Sequence, residues 1–165
     1  MPHVIVRIAD TNDAEAIAEI YNFEVENSTA TFDLVPRSVE AQREWITARS
    51  GAFSAIIAHS PDMGVVGFAA LSTYRDRAGY RTTVENSVYV HRDHQRKGIG
   101  RLLLGSLVDI ARDSGFHTVI ARIDSQSHGS LALHHSLGFI EVGVEREIGR
   151  KFGRWLNSVI MQKML

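Results

Sequence analysis

Two neighbouring stretches of this chain hold residue types that could do chemistry together. The run Gln95-Arg96-Lys97-Gly98-Ile99-Gly100-Arg101 sets three cations and two glycines just ahead of an amphipathic segment with apolar residues at Leu102, Leu103, Leu107, Val108 and Ala111. Glycine lets a backbone approach a ligand closely, the first turn of a helix has N–H groups without partners, and the helix dipole favours an anion there. A phosphate cradle is the chemistry this composition suits. Immediately upstream, Thr83-Val84-Glu85-Asn86-Ser87-Val88-Tyr89-Val90 reads as a strand. Alternation puts Glu85 and Ser87 on one face and Asn86 and Val88 on the other. Glu85 is then either a sheet-surface glutamate or a carboxylate aimed at whatever the cradle anchors.

Familiar nucleotide motifs do not fit the cradle. The dinucleotide fingerprint needs a third glycine where this chain has Leu103 and Leu104, and the P-loop needs Gly-Lys-Ser/Thr after four spaced residues. What remains is Q/R-x-x-G-x-G at a strand-to-helix junction. Downstream, His134 and His135 precede Leu137-Gly138-Phe139; adjacent helical residues point in different directions, and histidine suits proton transfer near neutrality. His91, His94, His117 and His128 lack the i, i+4 pairing with carboxylates of a metal site, and no metal is expected. The polar, β-branched segment from Asn27 to Asp33 is either a plain connection or a loop lining a substrate.

The bulk numbers narrow the class. At 165 residues the chain suits one domain, taken here as residues 1–165. Lys and Arg total 18 against 19 for Asp and Glu, so there is no general basic excess for nucleic acid, and the basic turn reads as a local site. No cysteine means no disulfide and no thiolate nucleophile. Apolar runs are of strand length, and Met1-Pro2-His3 does not begin a signal segment, so no membrane partner and a cytoplasmic location are the expectation.

The elements that must position these residues can be read in order. Val4 to Ile8 forms a strand, and Asn12 with Glu15 suggests a capping box for a helix burying Ile17, Ile20, Tyr21 and Val25. Ser38 caps a second helix with Val39, Trp45 and Ile46 inward, closed by Ser50-Gly51. Phe53 to His59 and Val65 to Tyr74 flank a hairpin turn at residues 60–64, and a charged turn at residues 75–81 leads into the Glu85 strand. After the central helix, stopped by Ser114-Gly115, His117 to Ile123 is a nearly continuous apolar strand. A short helix from Ser130 to Leu137 follows, then closing strands from Val142 to Ile148 and from Leu156 to Leu165, joined by residues 149–155. The order is β-αα-βββ-α-β-α-ββ, an α/β (α+β) fold with a mainly antiparallel sheet flanked by helices.

Taken together, Thr83 to Val90, Gln95 to Gly100 and Leu133-His134-His135-Ser136-Leu137-Gly138-Phe139 resemble the GNAT acetyltransferase superfamily. Tyr21-Asn22, Asn27 to Phe32 and Lys151-Phe152-Gly153-Arg154-Trp155 extend the resemblance over nearly the whole chain, toward the phosphinothricin and methionine sulfoximine/sulfone N-acetyltransferases. The resemblance implies acetyl-CoA as co-substrate, with its pyrophosphate at Arg96, Lys97, Gly98, Ile99, Gly100 and Arg101 and its pantetheine along Val88, Tyr89 and Val90. It implies Glu85 as general base, and His134 as the acid toward the departing thiolate or merely a hydrogen-bond partner. Arg75, Asp76 and Arg77, with Glu85, Asn86 and Ser87, map to the acceptor site, where an arginine fork suits an amino acid's carboxylate. Two positions depart from the pattern: Ser127 replaces an asparagine at the pantetheine contact, and Asn157 replaces an aspartate. The implied activity is direct N-acetylation of the α-amine of a small amino-acid-like molecule by a homodimer. Another small amine, a protein N-terminus, or a non-catalytic acyl-CoA sensor are the alternatives.

Overall fold

The computed structural model describes residues 3–165; Met1 and Pro2, part of the signal-segment reading, lie outside them. The strands are β1 (Ile5–Ile8), β2 (Ile56–Ser60), β3 (Gly64–Thr73), β4 (Thr83–Val90), β5 (Thr118–Asp124), β6 (Ile140–Lys151) and β7 (Arg154–Met164). The helices are α1 (Ala14–Asn27), α2 (Val39–Thr47), α3 (Ile99–Asp113) and α4 (His128–Ser136), so the order matches the sequence reading element for element. The strands form one sheet in the order β1-β2-β3-β4-β5-β7-β6, antiparallel throughout except where β4 runs parallel to β5. That parallel pair is the one joined through α3, because a parallel return needs a crossover rather than a hairpin.

Each face of the sheet buries its own apolar layer. On one face α3 lays Leu103, Leu104, Leu107 and Ala111, all 0% exposed, against Val66, Leu71, Val84 and Val119. The expected stripe is off by one position at its start. Leu102 is 41% exposed and Leu104 replaces it, since 104 continues the 3.6-residue period with 107, 108 and 111 whereas 102 lies off it. On the other face α1 and α2 bury Ile17, Ile20, Tyr21, Val25 and Ile46 against Ile57, Phe68 and Ala70.

Several boundaries differ from the sequence expectation. The capping box is made by Asp10 and Asp13 rather than Asn12 and Glu15: Asp10 accepts from the Asn12 N–H at 2.7 Å, and Asp13 accepts from the Asp10 N–H at 2.9 Å. Phe53 lies in a single 3₁₀ turn before β2 rather than in the strand, and α4 begins at His128 rather than Ser130. The segment 149–155 is mostly strand. Phe152 (φ 52°) and Gly153 (φ 72°) both take left-handed conformations, the two-residue turn whose twist matches a hairpin, so pairing continues to Lys151↔Arg154.

Candidate active site

The cradle has the geometry its composition suggests. Arg96 (φ 61°) and Gly98 (φ 83°) both sit in the left-handed region, so the turn coils tightly before α3 starts at Ile99. Gly98 caps α3 with no side-chain bond, which leaves the first-turn N–H groups open to an anion. A groove of about 410 Å³ runs from here between Val88, Val90, Gln95, Arg96, Gly98, Gly100 and Arg101 on one side and Ser127, Gly129, Ser130 and Leu133 on the other. A Cβ on Gly100 would lie 3.1 Å from Leu133, so glycine there keeps the groove wall close.

Not every expected donor-site side chain reaches the groove. Ile99 is 4% exposed in the core, Lys97 donates to the Asp93 carbonyl at 3.1 Å, and the Tyr89 ring packs edge-on to Tyr21 and stacks on Phe68 across the sheet. The Tyr89 backbone pairs with Phe68 of β3, so along β4 it is the backbone of Val88 and Val90 that faces the side away from β3.

Past the cradle, the sheet opens. β4 and β5 pair at Thr83↔Thr118, Val84↔Val119 and Glu85↔Ile120, and their ladder stops there although both strands continue. The wedge between them is a cavity of about 120 Å³ bordered by Asn86, Val88, Ala121, Asp124, Ser127 and His134, among others. Ser127 and Ser130 border both groove and wedge, and Ser127 makes no cap bond to α4, leaving its hydroxyl uncommitted there.

His134 closes the wedge from α4, 3% exposed and edge-on to Phe139. Its Nδ1 is 2.8 Å from the Ser130 carbonyl, which only an N–H can satisfy, and its Nε2 is 3.0 Å from Asn86 Oδ1. Asn86 in turn donates from Nδ2 to the Ile120 carbonyl at 3.3 Å, at the last rung of the β4–β5 ladder. Burial pulls the imidazole pKa below its ordinary value, aided by His135 and opposed by the Ser130 bond. A neutral ring has one N–H, and Ser130 takes it, so Nε2 can then only accept; the contact of Nε2 with Asn86 Oδ1 and the Asn86 Nδ2 bond to Ile120 are both hydrogen bonds only when both ring nitrogens carry hydrogen.

On the opposite face of β4 lies a second cavity of about 260 Å³ that brings together Glu85, Ser87, Arg122, Asp124, Glu145 and Ser158 with Ala30, Thr31, Phe32 and Ile148. Glu85 Oε1 is 4.0 Å from Arg122 Nε, and the other side of that guanidinium is 3.7 Å from Glu145 Oε1. Burial raises the Glu85 pKa, Arg122 works against the shift, and Glu145 adds to it. Glu85 and Glu145 flank Arg122 and Asp124 shares the lining, so three carboxylates accompany one arginine here, an electrostatic setting for a cation. The 27–33 segment is therefore a lining loop. Lys151, 4% exposed, donates to the carbonyls of Glu24 (3.3 Å) and Thr31 (2.9 Å), and Thr29 donates to Asp124.

Arg75, Asp76 and Arg77 are not brought into this cavity. They line a separate open basin with Tyr74 and Tyr80, where the Arg75 guanidinium lies 4.9 Å over the Tyr74 ring. The basin meets the Glu85 cavity through Arg122, whose guanidinium is 6.0 Å from the Tyr74 ring centre. Sequence reasoning passed over Arg122, Asp124 and Glu145. The signal was present in β5, since Arg122 interrupts a strand read as nearly continuous in apolar character.

A groove at a helix N-terminus and a carboxylate-lined cavity meet on one strand, an arrangement suited to a transferase that brings two substrates together. Residues 6–160 match the acetyltransferase (GNAT) domain, and the chain belongs to that family. It is 42% identical over 160 residues to the L-amino acid N-acyltransferase MnaT of Escherichia coli (97% of this chain, 93% of that protein). It is 41% identical to an L-methionine sulfoximine/L-methionine sulfone acetyltransferase of Salmonella typhimurium (97% and 94%). A phosphinothricin acetyltransferase from Sinorhizobium meliloti, solved with acetyl-CoA, is 35% identical and superimposes with a TM-score of 0.93 (98% of this chain, 88% of that chain). The protein is an N-acetyltransferase of this branch.

Proposed function

We propose that this protein transfers an acetyl group directly from acetyl-CoA to the α-amine of a small amino-acid-like acceptor, with methionine sulfone, methionine sulfoximine and phosphinothricin the favoured candidates. The observation that carries this reading is the placement of Val88 in the anion groove and Glu85 in the carboxylate cavity, on opposite faces of one strand at the point where it parts from β5. The groove fits the donor: open N–H groups and Arg96 and Arg101 suit a pyrophosphate, and the unpaired edge of β4 suits an amide-bearing arm. Acetyl-CoA, when bound, supplies the acetyl group as a thioester.

The chain's own residues do the rest. The backbone N–H groups of Val88 and Val90, on the side of β4 away from β3, hold the thioester arm, and one of them faces the carbonyl oxygen, a donor whose loss typically costs about 3 kcal/mol in the transition state. Glu85 takes the proton that an ammonium must lose before it can attack, and its raised pKa brings it closer to the working pH. Asp124 and Glu145 favour the ammonium electrostatically, and Arg122 suits a carboxylate. Nδ1 of His134 is held by the Ser130 carbonyl and Nε2 lies against the Asn86 amide, so His134 positions Asn86 at the wedge. The Arg75–Arg77 basin is the approach to the acceptor cavity. We also propose that the chain works as a single domain, in the cytoplasm, as a homodimer.

The test is free-thiol release from acetyl-CoA across amino acids and their sulfone, sulfoximine and phosphinate analogues. Fast release with these α-amines and none with peptides supports the reading; release with peptides alone reassigns the acceptor. Binding of acetyl-CoA with no release in any arm overturns it in favour of a sensor.

A further inference from the structure

The reading of the Glu85 cavity as the acceptor site leaves one of its walls unexplained. β6 pairs with β7 at Glu145↔Ser158 and next at Gly149↔Leu156, so Arg146, Glu147 and Ile148 lie opposite Asn157 alone. This is an enlarged β-bulge, three residues against one, and such features re-aim side chains beside functional sites. Glu147 takes a left-handed φ of 50°, and its N–H donates to Asn157 Oδ1 at 2.8 Å, so the Asn157 side chain fills the space left by the missing partner residues.

The bulge has two consequences for the cavity. It turns Ile148, 56% exposed, to the cavity wall. It also sets Gly149 beneath the ring of Phe32, the apolar tip of the lining loop: a Cβ on Gly149 would fall 2.6 Å from Phe32 Cδ2 and Cε2. The ring needs that missing side chain in order to lie where it does. The loop cannot simply slide away, because Thr31 is held by Lys151 of the same hairpin and Thr29 by Asp124.

The cavity is therefore two-ended. Glu85, Arg122, Asp124 and Glu145 make an ionic end that matches an ammonium and a carboxylate. Phe32 and Ile148 make an apolar end, with partly exposed rings and methyls that a ligand's carbon chain would cover. We infer that the Phe32–Gly149 contact, held by the β6 bulge, is the specificity element of the acceptor site, and that it selects α-amino acids by the apolar stem of the side chain, favouring an extended unbranched stem over a short one. The inference rests on the acceptor reading above and adds to it the residues that discriminate.

The experiment compares kcat/KM for methionine sulfone and for alanine in the unsubstituted enzyme and in Phe32→Ala, Gly149→Ala, Asn157→Leu and Asn157→Asp. The parent prefers methionine sulfone. Phe32→Ala lowers kcat/KM for methionine sulfone by roughly 10- to 100-fold, the range for losing several apolar contacts, and leaves alanine within about threefold. Gly149→Ala and Asn157→Leu shift the same ratio in the same direction, while Asn157→Asp, which keeps an acceptor for the Glu147 N–H, retains the parental ratio. KM for acetyl-CoA stays constant across the set. Equal losses on both acceptors, or an unchanged ratio in Phe32→Ala, overturn the inference even if Gly149→Ala fails to fold. No thiol release by the parent with any amine overturns the acceptor reading itself, a separate and recognisable result.

Discussion

Thr29 and Asp124, 95 residues apart in the chain, share a buried hydrogen bond that ties the loop after α1 to the end of β5 where the wedge opens. One bond thus joins the wall of one cavity to the border of the other. Thr29→Val removes the hydroxyl and leaves a buried carboxylate short of a donor, at a cost of about 1–3 kcal/mol. A thermal melt should fall by about 2–4 °C for each kcal/mol in a chain this size. KM for the amine should rise more than KM for acetyl-CoA, because the loop lines only the acceptor cavity and the wedge. An unchanged amine KM would mean that the bond serves the fold alone.

Glu85 makes a prediction about pH with a definite sign. Its pKa is raised in the fold above the ordinary 4.5, so the folded protein holds the proton more tightly than the unfolded chain. Its stabilising contribution is present below the unfolded pKa and is lost as pH rises through the folded one. Glu85→Gln should therefore melt higher than the parent at pH 8 and no higher near pH 4. The same variant should keep its affinity for acetyl-CoA while turnover falls by roughly 10²- to 10⁴-fold, the range for losing a general base. Parental turnover in this variant would remove Glu85 from that role.

Arg122 and Glu145 should move the acid limb of the kcat/KM profile in opposite directions. Arg122 holds the Glu85 pKa down and Glu145 pushes it up, so Arg122→Gln displaces the limb to higher pH and Glu145→Gln to lower pH. Coincident limbs in the two variants would show that another group sets the profile.

A positioning role for His134 separates from an acid role in the alkaline limb. His134→Gln should leave the pH at which kcat declines unchanged, with kcat lowered uniformly; loss of the alkaline limb would restore the acid assignment. His134→Ala, which empties the space against Phe139 and strands the Asn86 amide, should cost about 2–4 kcal/mol in a denaturant titration.

The cradle offers a test of backbone geometry alone. Gly98 holds φ +83° with open space where a Cβ would lie, so Gly98→Ala meets strain without a clash. It should weaken acetyl-CoA binding, measured by calorimetry, by roughly 5- to 30-fold, the equivalent of about 1–2 kcal/mol of left-handed strain. Gly98→Asn should lose less, since asparagine tolerates that conformation. An equal loss in both would point to the side chain's bulk instead.

Much of this was legible in the residues because it is local. Glycines, cations and an amphipathic period announce a strand, a cradle and a helix within 31 residues of chain, from Glu85 to Gly115, and turn chemistry and hydrophobic spacing are properties of neighbours. The order of elements followed for the same reason, and the misreadings fell at boundaries: the cap at Asp10, the turn at Phe152-Gly153, and the off-stripe Leu102.

The sequence by itself determined the element order, the glycine-bearing turn ahead of α3 and the family, because each is written in spacings of a few residues. Only the tertiary structure decided what surrounds Glu85. Arg122 and Asp124 from β5, Glu145 from β6 just before its bulge and Phe32 from the loop after α1 come from three separate parts of the chain. They meet because β5 and β7 pair beside β4 and the hairpin folds back over them, a relationship of strand register that no local pattern encodes. The same pairing left Arg75 to Arg77 outside the cavity, in a basin of their own where Arg75 lies over the Tyr74 ring.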